Sequence, residues 1–426
     1  MGLTQLSRRQ ILKVGGAGLA MGVAAACGSG GSTPSKAGQP LQFFLSGDAN
    51  QGGGIAAMTA QYQKETGVRI EIVDVANADL PTKLKNAAQA GDLPAMARAG
   101  SIDPIWRDRT VDLRKILDGS RIREELAAVD KNGKVLSLPT DITAVGLFVN
   151  KTLFTKAGVA LPTSANDIWT WDDMVARIKQ VQAKTGTTYG MVMDRSSHRL
   201  KAFLYEFGST SFQADANGKF QTNANTKTAL EYFAGLNDDK FMPRSVWLSK
   251  ADPNALFKSG DVVAYYSGSW QIADFAKNIT NFEWASVRLP RQDVRATNYG
   301  NAASSVIFQG TGQEDAAFAF LEWMYRPDNY VKLSQISGYL PAIDGLDVPY
   351  TSHADAFALY NEEIAASAPI VAEMKRRDIA YEVAGMATEG DPLRDETVRY
   401  LNREITVDQA IAAINDQLTE QLGPLP

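Results

Sequence analysis

After Pro40 the chain switches period again and again. "LQFFLS" from Leu41 is an apolar run of strand length, "GGGIAAMTAQYQKETG" places its apolar residues at helical spacing, and "VRIEIVDVA" alternates strictly. "PTKLKNAAQAG" then returns to helical spacing. Strand, helix, strand and helix in succession predict strands lying side by side with helices crossing over them, the α/β layer arrangement. Each predicted helix carries its own stop. Gly67 closes the first and Gly91 the second, because a residue without Cβ enters the left-handed conformation cheaply.

The rest of the chain keeps this style. "VDKNGKVLSLP" and "FQADANGKFQ" carry Asn-Gly turns at Asn132-Gly133 and Asn217-Gly218, the strongest short hairpin signal. "TWDDMVARIKQVQAKTG" opens on Thr170 with Asp173 three residues on, close to a capping box, and ends at Gly186. "EDAAFAFLEWMYRPDNYVKLSQISG" reads as two short helices broken at Pro327, and "TVDQAIAAINDQLTEQL" as an amphipathic helix capped by Thr406. No fixed-period repeat is present. With 426 residues, 45% of them apolar, the chain is long enough for two packed domains. The expected class is α/β with two lobes.

Charge narrows the partners. The formal charge of −5 becomes −8 once Arg8, Arg9 and Lys13 of residues 1–26 are set aside, and no block of five Lys/Arg occurs. A nucleic-acid partner therefore has little electrostatic support, and an acidic body speaks mildly against a strongly anionic ligand, although a local pocket overrides net charge. The single cysteine, Cys27, excludes an internal disulfide.

That cysteine ends "SRRQILKVGGAGLAMGVAAAC". A charged start followed by a small-residue apolar run, Val14 to Ala26, has the length of a signal peptide and is too short to span a bilayer. "SRRQILK" resembles the twin-arginine export signal, with Ile11 where that family usually has Phe. "AAAC" before Gly28 resembles the lipobox of bacterial lipoproteins, in which the cysteine receives a diacylglyceryl group; Ala24 replaces the usual Leu. The expectation is a signal peptide over 1–26, a lipidated Cys27, and a flexible tether over 27–40, "GSGGSTPSKAGQP" following the cysteine. A plain signal peptide with an incidental cysteine is the alternative.

Catalytic constellations are scarce. There is no G-x-x-x-x-G-K-[ST], G-x-G-x-x-G or G-x-S-x-G, and His198 and His353 are the only histidines, so H-E-x-x-H zinc chemistry is excluded. Both histidines read as polar surface residues. "DANGKF" from Asp215 starts like a calcium loop, but its twelfth position is Thr226 instead of a bidentate Glu, so it reads as a turn. Two-carboxylate glycosidase chemistry stays open, since two acids can lie far apart in a chain. The balance points to binding without chemistry, with no cofactor and no metal.

Several blocks, taken in order, resemble extracellular solute-binding proteins of sugar-type ABC importers. "LSLPTDITAVGLFVNKTLFTKAGVALP" is similar to the family's Leu-Pro strand leading into Tyr-Asn-Lys, Phe and Ala-Gly; Val149 stands for Tyr, while Asn150, Lys151, Phe154, Ala157 and Gly158 match. "TWDDMVARIKQV" is similar to its Thr-Trp-Asp-Glu helix, "LFKSGDVVAYYSGSWQIADF" to its Gly-x-Trp block, "SGYLPA" to its Gly-x-Leu-Pro end and "ITVDQAIAAINDQL" to its last helix. The couplet of two glycines usual before a later strand is Gly300-Asn301 here. Together these blocks cover Leu41 to Leu422.

The resemblance implies a two-lobed periplasmic-binding-protein-like fold of type II, maltose-binding-protein-like, with mixed sheets flanked by helices and the ligand cleft between lobes. It implies an N-lobe of residues 41–143 plus 303–345 and a C-lobe of 148–298 plus 349–422. The implied molecule is a monomer that captures a carbohydrate by hinge closure. It hands the sugar to the permease subunits of an ABC transporter, while anchored by Cys27 at the extracytoplasmic face of a bacterial membrane.

It also implies contact residues. Asp48 stands where the family often sets an acid on sugar hydroxyls; capping the helix after Gly54 is its other possible task. Asp141 and Thr143 fall at the cleft edge, with a turn-forming Asp as the alternative. Trp270 in "SGSW" stands where the family stacks sugar, whereas Trp169 and Trp171 read as helix-docking core. Asp103 and Trp106 in "SIDPIWRD" fall in a third contact loop, with N-lobe core as the other reading of Trp106. Gly300 and Asn301 belong to the couplet. Arg394 begins a helix facing the cleft, or forms a surface pair with Asp391 and Asp395. Two other functions remain open. One is the same fold binding a polyol or glycerophosphoryl compound through an unpaired cation, with Arg394, Arg199 and Lys201 as candidates. The other is a lipid-anchored hydrolase of oligosaccharides.

Overall fold

The structure, a computed structural model, describes residues 36, 38–48, 52–76, 79–301 and 303–425. The signal segment, Cys27 and nearly all of the tether lie outside the described residues. Among the described residues no helix is long and apolar enough to cross a membrane.

Two mixed sheets organise the chain. The first runs, edge to edge, Ile70–Asp74, Leu41–Leu45, Met96–Ala99, Ser304–Ile307, Val135–Pro139 and Ala128–Val129. Its first three strands are parallel, as the strand–helix–strand alternation requires, and Ser304–Ile307 enters antiparallel between Met96–Ala99 and Val135–Pro139. The second sheet runs Trp284–Val287, Thr143–Asn150, Val262–Gly268 and Tyr189–Met193, with Tyr299–Gly300 paired to the start of Thr143–Asn150. The chain thus passes from the first sheet to the second between Pro139 and Thr143. It returns between Gly300 and Ser304.

Helix ends fall where local chemistry puts them. Gly67 and Gly91 take φ of 77° and 69° and close helices Gly54–Thr66 and Leu80–Ala90. Thr170 and Asp173 form a full capping box on helix Trp171–Thr185, and Thr406 with Gln409 forms another on Val407–Gln421. Both Asn-Gly turns connect short antiparallel pairs, and Asp215 spends its Oδ1 on the amides of Asn217 and Lys219 inside the second turn. Trp171 is fully buried beneath Phe203, its indole N–H donating to Glu206 at 2.7 Å, and Trp169 stacks on Phe154. Both tryptophans are core.

One helix spans the two halves. Pro369–Val383 buries Val371, Met374 and Tyr381, and its Arg377 donates to Gln213 and Ala214 on the second-sheet side. Its last turn reaches the first-sheet side. There Val383 packs in the cluster of Leu84, Leu93, Trp106 and Phe308, and the Val383 carbonyl accepts from Arg107 at 2.8 Å.

Candidate ligand-binding cleft

Where the two sheets face each other lies a cavity of about 1100 Å³. Ala99 and Ser304 border it from the first sheet, and Thr143 and Gly300 from the second. Strand ends at a point where the chain switches sheets are the usual place for a small-molecule site in an open α/β fold.

Trp270 is the main aromatic surface of this cavity. It follows strand Val262–Gly268, whose last residue must be glycine: a Cβ at Gly268 would lie 2.1 Å from the indole and 2.5 Å from the Ala144 carbonyl oxygen. The ring is held from another side by Arg199, whose guanidinium carbon sits 4.4 Å from the ring centroid, within cation–π range. Arg199 is itself fixed by Asp194, with Nε 2.9 Å from Oδ2, and Asp194 accepts from the hydroxyls of Tyr265 and Ser267. Three elements therefore lock one flat apolar plate.

His198, expected as a surface residue, borders the cavity beside this plate, its ring centroid 6.0 Å from that of Trp270. The Asn298 amide nitrogen lies 2.9 Å from Nδ1 and 2.8 Å from the His198 carbonyl. An amide donating to both leaves the ring proton on Nε2, which has no partner in the protein. Burial, and then the cations Lys375, Arg199 and Lys201, hold the imidazole well below its ordinary pKa, so it is neutral. That neutral N–H is unsatisfied and its nitrogen is buried at the cavity border.

Asp141, Thr143, Gly300 and Asn301 also border the cavity. Asp141 is 1% exposed, with Oδ1 2.7 Å from the Arg98 guanidinium, and its Oδ2 has no partner. Thr143 donates to the Gly300 carbonyl at 3.3 Å, and the Asn301 amide donates to Ser304 at 2.6 Å.

Four of the sequence-expected contacts lie elsewhere. Asp48 is 3% exposed and spends both oxygens on the amides of Ile55 and Ala56, capping Gly54–Thr66. Asp103 caps the short helix Pro104–Arg107 through Ile105. Trp106 is core, edge-on to Phe308 at 5.5 Å. Arg394 is bidentate to its neighbour Asp395, at 2.8 and 2.9 Å, away from the cavity. The cations considered for a phosphorylated ligand are likewise occupied, since Lys201 pairs with Asp378 at 2.8 Å and Arg199 with Asp194.

The sequence reading missed the helix Pro369–Val383, which presents Lys375, Asp378, Ile379 and Glu382 to the cavity. These positions are i, i+3, i+4 and i+7, one face of a helix, and that spacing in "KRRDIAYE" is the signal that was available. Against burial, Lys201 and Lys375 hold the Asp378 carboxyl below its ordinary range. Burial raises Glu382, which accepts from the Ile102 amide.

The comparisons with known proteins agree with this geometry. The profile of the family described as bacterial extracellular solute-binding protein matches residues 57–358. A binding protein of Brucella abortus is 23% identical over 215 residues, 49% of this chain and 51% of its own; the chain thus spans about half the length of that relative. The lactose-binding protein of Rhizobium radiobacter is 24% identical over 281 residues, covering 62% of this chain and 65% of that one. The crystal structure of the cyclic alpha-maltosyl-1,6-maltose binding protein from Arthrobacter globiformis superposes with a TM-score of 0.69 at 23% identity, covering 90% of this chain and 98% of that one. That likeness establishes the two-lobed, maltose-binding-protein-like α/β fold. With its family profile running through both sheets and through the strands that border the cavity, the chain belongs to the bacterial extracellular solute-binding proteins.

Proposed function

We propose that the protein captures a carbohydrate in this cleft for an ABC importer and presents it to the permease in a closed form. The observation that carries this reading is the Trp270 plate, which shares the cavity with His198 and with the hydroxyl and amide groups of Thr143 and Asn301. A sugar has an apolar C–H face and a polar rim of hydroxyls, and this wall offers one surface for each. The lactose-binding relative supports the same class. In this reading the lobes are those expected above, 41–143 with 303–345 and 148–298 with 349–422, with the first boundary moved to Thr143, where the second-sheet strand Thr143–Asn150 begins. Acylation of Cys27 holds the molecule at the outer face of the membrane.

Calorimetric titration against a panel of mono-, di- and oligosaccharides tests this reading. Trp270→Ala is expected to weaken binding of the sugar so found by about 30-fold or more, the cost of truncating a buried aromatic anchor. A folded Trp270→Ala protein with unchanged affinity would remove the plate from the site.

A further inference from the structure

We propose that Lys375 anchors a single carboxylate on the ligand, so that the carbohydrate taken by this cleft is an acidic one of the uronate class. This rests on the carbohydrate reading above and specifies it.

The pairing of charges around the cavity carries the inference. Arg98 is matched by Asp141, Arg199 by Asp194, Lys201 by Asp378, and Asp274 by Lys258. Lys375 is left over. It is half-buried on the cleft face of Pro369–Val383, and no described residue accepts a hydrogen bond from its ammonium. The ammonium lies against the Cα of Gly300, where a Cβ would sit 3.6 Å from Nζ, so the couplet glycine leaves room in front of it. The other unmatched cation, Lys277, is exposed at the cavity border, and the remaining carboxyl, Glu382, is engaged with the Ile102 amide.

Its nearest carboxylate, Asp378, is already paired with Lys201, and a half-buried cation with only a shared counter-charge is costly; a ligand that brings one of its own recovers that cost on binding. A sugar hydroxyl would accept one hydrogen bond but leave the charge unmatched. A phosphate dianion calls for several donors or a helix N-terminus. One ammonium beside one bound Glu suits a monoanion. Burial pushes Lys375 down to about 8, against the pull of Asp378 and with Lys201 adding to the fall. The titratable and charged groups around it are Asp378 and Glu382 from its own helix and the neutral His198 with Arg199 and Lys201 from Ser197–Glu206.

The test titrates the wild type, Lys375→Met and Lys375→Arg with three probe sets: uronate mono- and disaccharides, their neutral hexose counterparts, and hexose phosphates. The proposal expects the tightest binding from a uronate. It expects Lys375→Met to weaken that uronate about 10- to 100-fold more than the neutral counterpart, with Lys375→Arg restoring most of the loss. Uronate affinity should also fall as pH rises above about 8, where the ammonium of the free protein is lost, and this slope should vanish in Lys375→Met. Melting curves verify that each variant is folded. Neutral sugars binding as tightly as uronates, or a phosphate binding more tightly, overturns the proposal and leaves the carbohydrate reading standing. Absence of binding by every sugar, acidic and neutral, overturns both.

Discussion

The side chains of the Arg98–Asp141 pair are 5% and 1% exposed, whereas those of Arg394 and Asp395 are 34% and 43% exposed at a similar distance. Coulomb attraction between exposed partners is screened and is worth about 0–1 kcal/mol. Breaking the buried pair strands a cation: Asp141→Ala should destabilise the fold by about 3–5 kcal/mol, and adding Arg98→Met should recover part of that loss. Denaturant unfolding of the three variants measures both. Equal stabilities for Asp141→Ala and the wild type would show that Arg98 finds water. The residue scale is also where sequence reading was weakest. An acid between a strand and a helix suits a cap or a ligand equally well, and for Asp48 the path of the chain settles it by pointing the Ile55 and Ala56 amides at the carboxylate.

Elements were far more legible, because their signals are local. The capping box at Thr170, the left-handed glycines at 67, 91 and 186, and the break at Pro327 each act over a few residues and do not depend on tertiary context. Pro369–Val383 escaped notice for the opposite reason. Its cavity-facing stripe is charged, so the apolar periodicity that marks a packed helix is diluted. Packing between elements adds a pH response. Glu206 ends helix Ser197–Glu206 and accepts from Trp171 of one helix and Tyr266 of strand Val262–Gly268, fully buried. Burial raises its carboxyl well above the ordinary value. A raised carboxyl holds its proton in the folded state and loses it when unfolded. Its contribution is therefore present at low pH and declines as pH rises past the unfolded value. Glu206→Gln mimics the protonated group, so it should match the wild type near pH 5 and exceed it by about 1–3 kcal/mol near pH 8. Thermal melts across that range decide; a gain independent of pH would assign the effect to packing.

At the scale of the molecule, two of the connections between the sheets are short, Pro139 to Thr143 and Gly300 to Ser304, so few dihedrals need to change for the halves to approach. Saturating ligand should lower the radius of gyration in solution scattering, and identical curves with and without ligand would show a molecule that does not close by a hinge. The ligand must favour the closed form by as much as the free protein favours the open one. The helix that bridges both halves has a further consequence. Its attachment relies on Val371, Met374 and Tyr381 and on the bonds of Arg377, Asp378, Glu382 and Val383, whereas Lys375 turns toward the cavity with no such bond to a described residue. With the role proposed for Lys375, scaffold and selectivity are written on different letters of one segment. Under that role a lineage could exchange one ligand for another by editing a single side chain while its architecture stands still, and a sensor engineer could do the same.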